Sequence, residues 1–372
     1  MGFFLPKNLI YLLITIPNYK LMTSPEKNSY RFYELDTVRF LAALAVLFYH
    51  YTFSTARLLG TPSFSIDKIS RYGYLGVDAF FIISGYVVLM SSMHKTPKYF
   101  FISRLVRLYP AYFICCITTF VILYFGNIST PEIPQVSVKI LIYNLTMLQE
   151  FLGKVNLNGV FWTLTYELGF YTVILVIAAL KLWKHLLLVI ILWLTYTAII
   201  NYAEVNAFSF FLIPKYSSCF IAGMLFYLLR INYAEKWKIY LLITFCFLVN
   251  TKNNIQITKE MNNFYHNPGT MSNIIVLSVS LLFYVFFLLS ASNKLNQKIF
   301  RFLGKLGVLT YPLYLMHTFG VGIFMGLAGV LNKYILLLLA TSISIGISYL
   351  IYKFVEQKYS YRFKLLLTKF LG

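Results

Sequence analysis

From residue 35 onward the chain alternates long apolar runs with short polar or basic connections. A membrane-spanning α-helix needs about 20 mostly apolar residues. Ten segments can supply one: roughly 35–53, 74–93, 107–125, 160–180, 186–203, 208–229, 238–250, 272–291, 307–331 and 334–353. Two connections are long. The first, about 126–159, holds Pro131, Pro134 and a patch Lys139–Leu148 suited to lie on a surface. The second, 251–271, is polar, with Asn253, Asn254, Asn262, Asn263, His266 and Asn267, and reads as a loop. The pattern predicts an all-α polytopic membrane protein, a bundle of about ten transmembrane helices over residues 35–355. A segment 1–34 precedes it and a basic tail 356–372 follows. The run Phe3–Ile16 is too short to span and is broken by Pro6-Lys7, so it reads as an interfacial helix or as sequence upstream of a true start at Met22. No soluble domain is expected after the tenth span.

Composition supports the membrane reading. The chain is 59% apolar and 12% charged, with a mean hydropathy of +0.72. A soluble domain could not cover so much apolar surface. The net charge of +20 would suggest nucleic acid in a soluble protein. Here the basic residues cluster between apolar runs, as topology signals do, and no nucleic acid is expected. With the N-terminus inside, 23 of the 32 Lys and Arg residues fall in inner segments, which favours both termini in the cytoplasm. Cys115, Cys116, Cys219 and Cys246 all lie in apolar runs without paired metal spacing and read as small packing residues. No metal site is expected.

Ionisable residues inside such helices are costly and mark function by default. Arg39 and His50 lie eleven residues apart on the first apolar segment, about 16 Å along a helix axis. With Arg39 at the inner edge, His50 sits near the middle of a hydrocarbon core about 30 Å thick. Glu167 lies about 10 Å below the outer end of the fourth segment, and His317 about 15 Å above the inner end of the ninth. Asp78 lies near the outer end of the second. A His beside a carboxylate is the usual arrangement of a general base, and Glu167 is the expected partner of His50. Each of these groups could instead be a helix–helix hydrogen bond. Arg104 and Arg107 share a helix face and could grip phosphates, although an inner basic flank looks the same. Trp162 and Tyr171 are candidates to line a sugar path or to anchor at the interface. Ser84-Gly85 lacks a nucleophile elbow and reads as a packing pair, with Ser84 and His317 kept as substrate-side candidates.

Six strings in order give the chain a likeness. Arg39 and His50 keep one spacing; YLGVDAFFIISGY carries Gly76, Val77, Asp78, Phe80, Phe81, Ser84 and Gly85; SRLVRLYP carries Arg104, Arg107 and Pro110. FWTLTYELGFY carries Trp162, Glu167, Phe170 and Tyr171, and YPLYLMH and FVEQKY carry His317 and Glu356. Together they resemble the membrane-bound acyltransferase-3 family from Leu35 to Glu356, departing only at Tyr86, where Phe is usual. The resemblance implies transfer of an acyl group, most often acetyl from acetyl-coenzyme A, to a hydroxyl of a carbohydrate such as O-antigen, exopolysaccharide or a lipid-linked glycan. It implies a bacterial inner-membrane enzyme with no permanently bound cofactor. His50 would be the base or a transient acyl carrier, with Glu167 and Asp78 beside it and Arg39, Arg104 and Arg107 toward the donor. A proton-coupled transporter would also want buried His and Glu residues, and a non-catalytic membrane scaffold would tolerate their loss.

Overall fold

The computed structural model describes residues 31–60, 64–93, 95–126, 135–203, 212–265 and 271–370. The readings of Phe3–Ile16, Pro131, Pro134, His266 and Asn267 lie outside them. Among the described residues every named element is helical: α1 (Tyr33–Phe48), α2 (Gly76–Ser92), α3 (Pro97–Phe125), α4 (Val138–Leu145), α5 (Trp162–Ala179), α6 (Leu186–Ala203), α7 (Ser217–Arg230), α8 (Lys236–Phe264), α9 (Asn273–Ala291), α10 (Gln297–Lys305), α11 (Thr310–Met316), α12 (Thr318–Leu327), α13 (Lys333–Ile351) and α14 (Gln357–Phe370). Where they are described, all ten apolar segments coincide with helices over most of their length. Among the described residues six continuous helices are long and apolar enough to cross a membrane, and a pair bent by 52° at His317 can supply a seventh. The other three segments depart from the expectation for separate reasons. The first helix carries Glu34, Asp36 and Arg39. The helix α7 has only 14 residues. In α8 the apolar half runs on into a polar half.

The centre of the bundle is α2, buried on nearly every face. It crosses α7 with backbone against backbone. A Cβ on Gly85 would collide with the Phe220 carbonyl, and one on Gly223 with the Ile82 carbonyl, so only glycine admits this approach. All four cysteines are free and buried, Cys219 and Cys246 beside the same crossing on α7 and α8.

Local chemistry sets several ends. Thr96 Oγ1 accepts from the Tyr99 amide at 3.3 Å with Pro97 in the first turn, so α3 begins ten residues before the expected 107. Pro110 and both arginines therefore sit inside the helix rather than at its start. The region 251–264, expected as loop, continues α8. Asn250, Asn254 and Thr258 repeat at i, i+4 and form a buried polar stripe that a helix can turn inward. The patch around Lys139 forms the short helix α4. The tail from Gln357 is helical and leans on α3.

Two helices are interrupted near the middle of the bundle. After Phe48, α1 continues as a π turn, Tyr49–Ser54, then as Thr55–Leu58. The α11–α12 helix bends at His317, five residues after Pro312, which lacks a backbone donor. In hydrocarbon an unpaired carbonyl costs several kcal/mol, so each break needs partners. At the bend, His317 Nδ1 donates to the Tyr314 carbonyl (2.8 Å), Asn158 Nδ2 to that of Leu315 (3.4 Å) and Tyr51 Oη to that of His317 (2.6 Å). At the π turn, Thr52 Oγ1 donates to the Phe48 carbonyl and Thr55 Oγ1 to that of His50, both at 2.7 Å.

Candidate active site

The two interruptions bring His50 and His317 together. A carbonyl oxygen can only accept, so the bond to the Tyr314 carbonyl fixes the proton of His317 on Nδ1. In the neutral ring Nε2 then holds a lone pair. It lies 3.2 Å from His50 Nδ1, which is also 2.9 Å from the Val46 carbonyl. The same logic places the His50 proton on Nδ1, shared between those two acceptors. His50 Nε2 is left as the basic atom. His317 is fully buried behind it, with ring centroids 4.9 Å apart.

His317, not Glu167, is thus the side chain against His50, which corrects the expected pairing. The physical reason is direction: Glu167 faces a different cavity, where its Oε1 accepts from Ser84 Oγ at 3.1 Å and from Tyr171 Oη. Being fully buried, His317 meets His50 instead of lining a substrate path.

Two cavities adjoin one another near this dyad, and His50 lines the smaller. The larger, about 490 Å³, is lined by four arginines, Arg31, Arg39, Arg104 and Arg107, and three carboxylates, Asp36, Glu167 and Glu356. The positive groups are held differently. Arg31 pairs with Asp36 at 2.7 Å, and Arg39 lies 3.8 Å from the same carboxylate. The Arg104 guanidinium lies over the Phe100 and Tyr171 rings at 5.6 and 5.7 Å, with Nε donating to Ser103 Oγ. Arg107 is exposed to the cavity and makes no hydrogen bond or ion pair among the described residues. Glu167 and Glu356 lie within its electrostatic reach, and its planar fork of donors, beside stacked and ion-paired arginines, has the chemical character of an anion site.

The smaller cavity, about 220 Å³, holds His50, Asp78, Trp162, Tyr216 and Asn254. The Asp78 carboxylate is buried and accepts from Asn254 Nδ2 at 2.6 Å and Asn250 Nδ2 at 3.2 Å. Asn254 Nδ2 also lies 3.2 Å from Ser280 Oγ. The Trp162 and Tyr216 rings are 5.3 Å apart at a tilt of 33°. An aromatic wall beside fixed carboxylate and amide groups suits a polyhydroxylated ligand. Trp162 and Tyr171, taken together as one sugar path, are separated: Trp162 lines the smaller cavity, while Tyr171 and Ser84 line the larger.

Sequence reading did not single out Asn254, Tyr311 or Tyr314 as cavity residues, although the spacing of Asn250, Asn254 and Thr258 carried the signal for the first. Tyr311 Oη anchors α11 to α3 through the Leu108 carbonyl at 3.0 Å.

Comparison with known proteins agrees with this picture. A family model for an acyltransferase domain, acyltransferase 3, matches residues 32–353. A protein of Acidianus two-tailed virus, named an acetyltransferase, is 27% identical over 302 residues, covering 78% of this chain and 86% of its own. Nodulation protein 10 of Rhizobium leguminosarum bv. viciae is 28% identical over 169 residues, covering 40% of this chain and 44% of its own. No solved structure matches. With the motif residues gathered around two adjoining cavities in an all-helical membrane bundle, the chain belongs to the acyltransferase-3 family and is a membrane acyltransferase.

Proposed function

We propose that this protein transfers an acyl group, acetyl foremost, from acyl-coenzyme A to a carbohydrate hydroxyl at the bacterial cytoplasmic membrane. The observation that carries the reading is the His50–His317 pair, with His50 Nε2 left basic on a side chain that lines the smaller cavity. The donor's phosphates bind at Arg107 and Arg39 in the larger cavity, on the side of the bundle where the sequence places the cytoplasm. The acceptor sugar occupies the smaller cavity, stacked on Trp162 with its hydroxyls toward Asp78 and Asn254.

The acceptor hydroxyl gives its proton to His50 Nε2 as its oxygen attacks the thioester carbonyl. The C–S bond breaks, a C–O bond forms, and the thiolate leaves as coenzyme A after taking the proton back from the imidazolium. His317 orients the imidazole through Nδ1 and supports its charge, the part a carboxylate plays in a hydrolase triad. Glu167 then belongs to the donor side, fixing Ser84 and Tyr171.

The test is mass spectrometry of the host's surface glycans with the intact chain, with its gene deleted and with His50→Ala at equal membrane levels. Acyl esters absent from both the deletion and the variant are the expected result, since a general base contributes about 10²–10⁴-fold. Normal ester levels in the variant would remove His50 from the chemistry. Movement of a sugar without any acylated product would replace the enzyme reading with a transporter.

A further inference from the structure

The two cavities touch but do not merge. Val77 and Tyr314 are the residues that line both. On the acyl-coenzyme A reading, the thioester must travel from the arginine-lined space to His50, and the Tyr314 ring and the Val77 side chain stand in that route. The ring is well held. Its hydroxyl lies 3.0 Å from Thr163 Oγ1, and Phe80 packs edge-on with centroids 5.4 Å apart. Its own main-chain carbonyl is the one that fixes the His317 tautomer. Tyr314 is 7% exposed and Val77 9%.

We propose that Tyr314, with Val77, is a specificity-determining partition that sets the length of the acyl group reaching His50. The inference rests on the acyl-coenzyme A reading and adds a residue and a property to it. The smaller cavity has room for little beyond a sugar ring and a short acyl head, and the partition bounds it toward the donor. A two-carbon acyl group slips past the edge of the ring. A longer chain has to displace the ring and break its bond to Thr163. The same ring keeps the water of the larger space away from the thioester once it lies beside His50, so its removal uncouples donor cleavage from transfer.

Native membrane vesicles carrying the full chain supply the acceptor, with radiolabelled acetyl-coenzyme A and octanoyl-coenzyme A as probes. The readouts are label fixed to vesicle glycan and free thiol released. Tyr314→Ala should raise the octanoyl-to-acetyl transfer ratio about tenfold or more, the discrimination a shaped apolar pocket commonly supplies. It should also release thiol in excess of glycan label. Tyr314→Phe keeps the ring and loses the bond to Thr163, and should move the ratio by a few-fold at most. Val77→Ala opens the same wall from α2 and should move the ratio in the same direction, which keeps the test decisive if Tyr314→Ala does not accumulate. Wild-type transfer with an unchanged ratio in Tyr314→Ala or, failing its expression, in Val77→Ala would overturn the partition alone. Wild-type vesicles that neither bind coenzyme A nor transfer label from either donor would overturn the acyl-coenzyme A reading, and the partition with it.

Discussion

The two cavities solve different problems with different materials. The larger is lined by four arginines and three acidic side chains, with Arg107 near Glu167 and Glu356 but in direct ion-pair contact with neither. The smaller holds one carboxylate, Asp78, whose Oδ2 accepts from two side-chain amides, and a histidine whose proton position follows from the Val46 carbonyl and the His317 ring. Charge that is free to meet a ligand gathers on one side; a lone pair free to take a proton sits on the other. On the proposed reading, holding and reacting are assigned to separate spaces. Substitutions on the two sides should therefore disturb different kinetic constants.

The largest expected effect is on the reacting side. His50→Ala should lower kcat about 10²–10⁴-fold with donor affinity unchanged. His317→Ala should also lower kcat, by less, and adding it to His50→Ala should cost little more, because the two rings act as one unit. A fully additive double variant, measured by initial rates in vesicles, would break the claim that His317 works through His50. Next in size is Arg107→Lys, which keeps a charge and loses the planar fork. It should raise KM for acetyl-coenzyme A about tenfold, the order expected for charge-assisted hydrogen bonds, with kcat largely kept. Arg104→Lys should do less, since Arg104 already lies over two rings. A fall in kcat without a rise in KM for Arg107→Lys would erase the division between the cavities. The smallest effect is structural. Tyr51→Phe removes the donor to the His317 carbonyl and the contact with Ser344 Oγ. It should cost about 0.6–1.7 kcal/mol of stability, the range for hydrogen bonds between membrane helices, read as a lowered Tm in detergent.

Much of the fold was legible because one physical rule, the length of an apolar run, governs it. The polar half of α8 was not, because Asn-rich sequence resembles a loop until its i, i+4 repeat is set against a buried carboxylate on α2. At the site, axial rise placed His50, Glu167 and His317 at comparable depth, and that depth could be read from residue counts. Rise along an axis carries no information about which way a side chain points. Glu167 and His317 were both within reach by depth, and the bend at His317 decided between them.

The first helix has one further consequence. Arg39 lines the larger cavity and His50 the smaller, and a single helical rod joins them. Eleven residues of rise make that rod a ruler of about 16 Å. The α-helix holds as far as Phe48, and His50 is the second residue of the π turn that follows. A donor gripped by its phosphates at Arg39 and reacting at His50 must carry its acyl group on an arm long enough to cover the gap. Compact activated acids, such as an acyl phosphate, could be held at one end or consumed at the other, but not both. On this reading the enzyme selects its donor first by the reach of the carrier, before any contact with the acyl group itself.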